Sequence, residues 1–262
     1  MARNGPATTP GFVVFDSGSP PKAAELLADQ IRASIIGNNL AAGSRLMSEG
    51  ELIEQRGLSR ATVREALRLL EAEGLITVKR GPRGGIAVRH PDPSHISRAL
   101  ATMVALRDVS LRQLFDFRLS IEPDAAAAAA TVITEEQREA LLASTEQSES
   151  HVPESVDFHV LVAQASGNAL NHIVLAALHE VLELHVRLEA LSEEAWEETR
   201  SAHEKIARAI ASGNPTKAQN AMRRHLERFR ADMESAGRLD EPIIPRWAWR
   251  RSAVSARNAP LG

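Results

Sequence analysis

The sequence of 262 residues contains no cysteine and no tyrosine, and only 3% of its residues are aromatic. The lack of cysteine excludes disulfides, thiolate metal sites and a thiol nucleophile. The scarcity of aromatic rings argues against a protein that binds single-stranded nucleic acid by stacking on its bases. No apolar run is long enough to cross a membrane, and the N-terminus has no signal-peptide pattern. We therefore expect a cytoplasmic protein without a membrane partner.

Charge is distributed unevenly along the chain. Residues 21–90 carry 11 lysines and arginines against 8 acidic residues, whereas residues 91–237 carry 14 against 23. Residues 238–262 are again basic, with 5 against 2. A mildly basic segment in front of an acidic one suits a head that meets a polyanion.

The first helical pattern follows residues 1–20, which are rich in Pro, Gly, Ser and Thr and are predicted to be a flexible tail. Apolar residues recur at helical spacing from Pro21 to a stop at Gly37. Ser48 opens a capping-box pattern at the start of a second short helix, which Gly57 ends. The sequence therefore predicts two helices before the third one, which carries the strongest signal.

The third predicted helix, from the cap Ser59 to about Glu73, has two contrasting faces. Its apolar stripe consists of Val63, Ala66, Leu67 and Leu70. Its polar side carries Thr62 in the first turn and arginines at i, i+4 and i+8, namely Arg60, Arg64 and Arg68. Two helices joined by a short glycine-containing turn are typical of the helix-turn-helix, whose second helix enters the major groove of DNA. An ordinary amphipathic helix with a solvated arginine face is the alternative.

A hairpin is predicted directly after this helix. Residues 75–78 and 86–88 are apolar and β-branched, and the segment between them is basic and rich in glycine. Such a hairpin suits a wing that lies along phosphates or enters the minor groove. Cap, turn, helix and hairpin in series favour a winged helix-turn-helix DNA-binding domain over residues 21–90.

These residues also carry a family resemblance. The run from Leu46 to Leu52, the run from Gly57 to Leu67 and the run from Leu70 to Ile76 are similar to the GntR family of bacterial regulators. The resemblance implies operator contacts by Ser59, Arg60, Thr62 and Arg64, wing-tip contacts by Arg80 and Gly81, and further contacts by Arg45 and Arg68. One departure is Gly50, which stands where the family usually has an arginine, so a contact made by relatives is missing or supplied elsewhere.

After the break at Pro91-Asp92-Pro93, nearly every segment has a helical pattern. The predicted helices are 94–107, 110–130, 134–149, 153–166, 170–191, 193–212 and 215–236. We therefore predict a mostly α protein, in which the winged helix-turn-helix is followed by an all-helical antiparallel bundle of six to seven helices over residues 94–237. The role of the C-terminal tail, residues 238–262, stays open: it packs on the bundle or on a dimer, or it stays loose.

Three histidines, His159, His203 and His225, lie on different predicted helices among apolar neighbours. Imidazoles that converge from separate helices can hold a divalent metal through neutral nitrogens. A lone helical histidine is more often a packed or hydrogen-bonded residue, so the spacing alone is a weak signal.

The stretch from Arg118 to Ala130 resembles the opening of the FCD domain, the effector domain of the FadR-type branch of the GntR family, and the segments around the three histidines fall in that domain's order. The resemblance implies a metal such as zinc, held by one aspartate and three histidines. The histidines match, but Ser155 occupies the position of the aspartate, and Asp157 is only two residues from His159. Either water, Ser155, Asp157 or an effector carboxylate completes the shell, or the site holds no metal.

The same resemblance places Arg118 in an effector pocket, with Asn168 and Arg187 as further effector-binding candidates. An ion pair between Arg118 and Glu122 at i+4 is the alternative. We expect a homodimeric repressor that a small carboxylate, a fatty acid or an acyl-CoA releases from a palindromic operator in double-stranded DNA. A metal sensor, in which the ion is the signal, and a metal-dependent enzyme on the helical body are the alternatives.

Overall fold

The computed structural model describes residues 22–79, 85–146, 154–188 and 193–245. Within these ranges, the side chains of residues 94, 154–157, 179–180, 182–188 and 193–196 are outside the description. The chain divides into two compact units between Pro91 and Asp92.

The first unit contains three helices and one hairpin, as the sequence predicts. Its elements are α1 (Ala23–Gly37), α2 (Glu49–Arg56), α3 (Arg60–Ala72), β1 (Ile76–Lys79) and β2 (Gly85–Val88). The capping box at Ser48 is present, and Gly57 ends α2 with φ of 62°, a left-handed conformation that glycine adopts without strain. The strands are antiparallel, with Ile76 opposite Val88.

The apolar stripe of α3 forms the centre of the first unit. Val63 and Leu70 have no exposed surface, and they pack with Leu27 of α1 and Ile86 of β2 in one cluster. Burying this stripe fixes the rotation of α3 about its axis, so the opposite side, with its arginines, faces solvent.

The second unit contains the seven predicted helices, with ends that differ from the prediction by at most a few residues. They are α4 (Ser94–Leu106), α5 (Leu111–Val132), α6 (Glu135–Glu146), α7 (Glu154–Ala165), α8 (Ala169–Leu188), α9 (Glu193–Ala211) and α10 (Pro215–Ser235). The predicted fold class is confirmed: a helix-turn-helix with a two-stranded wing precedes a helical bundle. Within the described residues, the helices are too short or too polar to cross a membrane.

The central helices of the bundle are α5 and α10, which form its most extensive helix pair. One face of the alanine-rich second half of α5 is buried, with Ala126 and Ala129 fully covered. They belong to the same cluster as Met222 and Leu226 of α10 and Ile206 of α9. Small side chains on α5 let the larger residues of α9 and α10 come close to its backbone.

The described part of the C-terminal tail packs on the bundle. Leu239, Ile243 and Ile244 are buried in a cluster with residues of α4, α5 and α8. The Ile243 amide donates to the Val109 carbonyl at 2.9 Å, and the Arg112 amide donates to the Leu239 carbonyl at 2.8 Å. Residues up to 245 are therefore part of the second unit, and residues 246–262 lie outside the description.

Replacing Ile243 with alanine should lower the free energy of unfolding of the second unit by about 2–4 kcal/mol, because it removes a side chain that is 1% exposed and leaves a cavity. Urea denaturation followed by circular dichroism measures this loss. The matched control is Ile36→Ala on α1, where the side chain is 68% exposed and the expected change is below about 0.5 kcal/mol. Equal losses in the two variants would show that the tail does not contribute to the core.

Candidate DNA-contacting face and candidate metal centre

The N-terminus of α3 is held by its own first residues. The Ser59 hydroxyl accepts from the Thr62 amide at 3.1 Å and lies 2.8 Å from the Thr62 hydroxyl. This cap satisfies one amide of the first turn and leaves the end of the helix exposed. Both side chains belong to the predicted DNA contacts, so a phosphate at this position would meet a preformed N-terminus.

The three predicted DNA-contacting arginines of α3 are all exposed but differ in their partners. Arg64 Nε lies 2.9 Å from Glu49 of α2, although the Arg64 side chain keeps 56% of its surface exposed. Arg68 forms a 3.4 Å pair with Glu65 one turn earlier. Within the described residues, Arg60 has no ion pair. The contact of Arg64 with Glu49 could not be predicted from the sequence, because the two residues are 15 positions apart and only the fold brings them together.

The remaining predicted DNA contacts, Arg45, Arg80 and Gly81, come from segments other than α3. Arg45 is exposed and forms an isolated bridge with Ala87, beside β2 of the wing. Arg80 and Gly81, at the predicted wing tip, lie outside the described residues. Gly50 is exposed on α2, and a Cβ atom added there would meet no atom within 4 Å. The backbone at this position therefore does not itself require glycine on steric grounds.

The three candidate histidines of the second unit come together. His225 Nε2 lies 3.3 Å from His203 Nε2 and 3.4 Å from His159 Nε2. They are contributed by α10, α9 and α7, and His159 and His203 are 7% and 5% exposed. The Phe158 ring stacks on the His203 ring at 4.2 Å between centroids, which fixes its plane. The fold therefore brings the three predicted residues together.

The nitrogen separations match what a tetrahedral metal ion requires. Two imidazole nitrogens that bind one zinc ion at about 2.05 Å in tetrahedral geometry are about 3.3 Å apart. The observed distances of 3.3 and 3.4 Å agree with this value. Among the described residues, these three are the group whose ligand atoms can hold a metal ion.

A buried carboxylate lies behind the histidines. Glu122 of α5 is 1% exposed, and its Oε2 lies 2.6 Å from His159 Nδ1. Its other oxygen accepts from Arg118 Nε in a very short bond, and Arg118 Nη2 is 3.3 Å from Oε2. With Nδ1 facing a carboxylate, the proton of a neutral His159 belongs on Nδ1, so its Nε2 is left as a lone pair for a metal. Spacing could find the pair of Glu122 with Arg118, but not its contact with His159.

The electrostatics of this centre keep the imidazoles neutral. Burial lowers the pKa of His203 well below its usual value, and it lowers the pKa of His225 to about 3, with His159 and Arg118 adding to both shifts. Burial also lowers the pKa of His159, against the opposing charge of Glu122. For Glu122, burial alone would raise the pKa, but the charge of Arg118, together with the contact with His159, holds it well below its usual range. Three neutral imidazoles next to an ionised carboxylate are ready to bind a cation without first losing protons.

The other predicted site residues are described only in part. Asn168 is exposed, and its side-chain oxygen accepts from the amides of Leu170 and Asn171 at the start of α8, which is a capping role. The side chains of Ser155, Asp157 and Arg187 lie outside the description, so their roles stay predictions. Arg118 is 8% exposed and pairs with Glu122, as the alternative interpretation expected. Glu122 accepts hydrogen bonds from only Nε and Nη2 of Arg118. The Arg118 guanidinium therefore keeps other N–H groups for a second anion.

A winged helix-turn-helix with an exposed arginine face, joined to a helical unit with a buried polar centre, defines a class of DNA-binding regulators. Residues 23–88 match the model described as bacterial regulatory proteins, gntR family, and residues 113–228 match the FCD domain. The chain is 30% identical over 233 residues to the "Putative L-lactate dehydrogenase operon regulatory protein" of Escherichia coli (strain K12), covering 85% of this chain and 89% of that protein. It is 26% identical over 229 residues to the "HTH-type transcriptional repressor NanR" of Enterobacter sp. (strain 638), covering 82% and 87%.

A solved structure, Streptococcus agalactiae GntR, aligns with a TM-score of 0.59 and 26% identity and covers 79% of this chain and 99% of that chain. The chain therefore belongs to the GntR family of transcriptional regulators, in the FadR-type branch with a C-terminal FCD domain. It is a DNA-binding transcriptional regulator and not an enzyme.

Replacing Glu122 with glutamine should destabilise the second unit by about 3–5 kcal/mol, because Arg118 would remain buried without a counter-charge. Urea denaturation at neutral pH measures the loss. Glu204→Gln is the matched control, since its pair with Arg208 is exposed and should contribute at most about 1 kcal/mol. The double variant Arg118→Met/Glu122→Leu should be more stable than Glu122→Gln. A double variant as unstable as the single one would show that the ion pair is not the source of the loss.

Proposed function

We propose that this regulator is a cytoplasmic, homodimeric repressor that binds a palindromic operator and is released by a small carboxylate, which binds next to a divalent cation held by His159, His203 and His225. The observation that carries the proposal is the convergence of three imidazole Nε2 atoms in the second unit, backed by Glu122. When bound, the cation would supply a Lewis acid that attracts a carboxylate. The protein's own residues orient the imidazoles and exclude water.

Operator binding by α3 is supported by charge at its exposed N-terminus. The first turn of α3 has no acidic residue, and its first residue is Arg60. A cation at the positive end of a helix dipole is unfavourable unless an anion lies nearby, and DNA phosphates provide such anions. Arginine can also bind the edge of guanine with two hydrogen bonds. This arrangement favours DNA over an ordinary solvated face.

A small carboxylate suits the centre better than a fatty acid or an acyl-CoA. His159, His203 and Arg118 are buried among helices α5, α7, α9 and α10, and His225 is half-buried, so the centre favours a compact ligand. Arg118 is a buried cation with N–H groups to spare, and a guanidinium suits a carboxylate. The name of the Escherichia coli relative connects that protein with an L-lactate dehydrogenase operon, which makes L-lactate a reasonable first probe.

The dimer is supported by an apolar side of α4. Ile96, Met103 and Leu106 are 47%, 55% and 75% exposed on this helix, and Leu170 and Ile173 of α8 are 66% and 42% exposed. Helices α4 and α8 pack together, and both contribute exposed apolar side chains to the surface of the unit. A second copy of the chain would cover it and would present two heads to a palindrome.

Replacing Arg60 or Arg64 with alanine should weaken specific operator binding by about 1–3 kcal/mol each, because each removes a contact to a base or a phosphate. Gel-shift titration with an operator fragment at fixed salt measures this change, and circular dichroism checks the fold. Arg98→Ala, an exposed arginine of α4 in the second unit, is the control and should leave affinity unchanged. Unchanged affinity in both α3 variants would refute the role of this helix.

Replacing His203 with alanine should lower the affinity for Co²⁺, used as a spectroscopic substitute for zinc, by at least about tenfold. The visible absorption of the bound ion gives the readout, and His172→Ala on α8 is the control that should bind Co²⁺ like the wild type. In the metal-loaded wild type, L-lactate should weaken operator binding, and it should have less effect after chelation.

The outcomes of this experiment separate the alternatives. Operator affinity that responds to the metal alone, with no effect of a carboxylate, would identify a metal sensor. Release by L-lactate that is identical with and without metal would show that the cation has no part in sensing. Equal Co²⁺ affinity in wild type and His203→Ala would refute the three-histidine centre.

A further inference from the structure

A groove of about 260 Å³ runs along the surface of the second unit between α9 and α10. The two helices form an antiparallel pair, because only residues 212–214 connect them. Contacts of Glu198 with Arg228 and of His203 with His225 set their register. Lys205, Ala221 and Arg224 therefore line the end of the groove near the connection, and Glu198, Asp232 and Met233 line the other end.

The groove has an apolar floor and a polarised rim. Ala202, Phe229 and Met233 supply the apolar surface. Arg228 is committed to Asp232 at 3.1 Å and to Glu198 at 3.4 Å. Lys205 and Arg224 at the opposite end are exposed, and neither forms an ion pair with any described residue. Two cations without an ion pair to a described residue, next to an apolar floor, fit an organic anion, whose carboxylate lies at one end and whose hydrocarbon part lies along the groove.

His225 connects this groove with the buried centre. One side of the residue lines the groove, while its Nε2 lies within 3.4 Å of the other two imidazoles. It is half-buried, whereas His159 and His203 are buried. A molecule in the groove would therefore contact a residue whose position the centre also fixes.

We propose that the groove between α9 and α10 is a second ligand site, separate from the enclosed three-histidine centre, and that it binds a carboxylate with an aliphatic chain through Lys205 and Arg224. The groove can bind this carboxylate without a cation in the centre. Because His225 belongs to both sites, occupancy of the groove changes the affinity of the centre for its metal, and the reverse holds to the same extent.

Isothermal titration of the full-length protein with hexanoate tests the site. Wild type should bind hexanoate at least about tenfold more tightly than acetate, because acetate lacks the chain that covers the apolar floor. Arg224→Gln and Lys205→Gln should each raise the Kd for hexanoate by about three- to tenfold. Arg223→Gln is the matched control: it is the adjacent exposed arginine, does not line the groove, and should change the Kd less than about twofold.

Ala202→Leu, which fills the floor, should also abolish hexanoate binding while Co²⁺ still binds the three histidines. No binding of hexanoate to the wild type, or an equal loss in Arg223→Gln and Arg224→Gln, overturns the proposal. A change in oligomeric state in Ala202→Leu without a change in hexanoate affinity assigns the groove to a contact between copies and also overturns it. The L-lactate and operator measurements use neither hexanoate nor the groove variants, so the groove and the proposed function can fail separately.

Discussion

The buried carboxylate of Glu122 is the constraint on which the second unit depends. A charge with almost no exposed surface has to be matched by partners, because removing it from water costs several kcal/mol. Arg118 supplies the counter-charge from the same helix, and His159 brings α7 against α5. The carboxylate thereby fixes one imidazole, and the neighbours of that imidazole on α9 and α10 complete the centre. A polar network inside an otherwise apolar bundle is thus both a requirement of packing and the candidate site.

The sequence predicted most of the fold because its signals are local. Caps such as Ser48, Ser59 and Gly57 act within a few residues, and apolar periodicity identifies each helix and the face it buries. The grouping of the three histidines came from family resemblance and not from spacing, since their helices are separated by tens of residues. The contacts of Glu122 with His159 and of Glu49 with Arg64 were missed, because each depends on how two helices pack.

The two units differ in how their charged side chains are paired. In the first, the cations are exposed, and the pairing of Arg64 with Glu49 is in contact with water, so a polyanion can replace the carboxylate at little cost. In the second, Arg118 and Glu122 are enclosed, and neither can lose its partner without a large penalty. Exposed ion pairs whose carboxylate can be replaced by another anion suit a surface that binds and releases a large ligand. Enclosed pairing suits a centre whose geometry has to persist.

The alanine run of α5 limits how a signal can travel through the bundle. Ala126 and Ala129 lie against α9 and α10 with no exposed surface, and an alanine has no rotamers to change. A ligand therefore cannot send a signal across this contact by rearranging side chains of α5, residue by residue. Any displacement that reaches α5 from its neighbours has to move whole turns of backbone, as a rigid shift of one helix against another. The alanine run of α5 thus makes the helices of the bundle move against one another as rigid bodies.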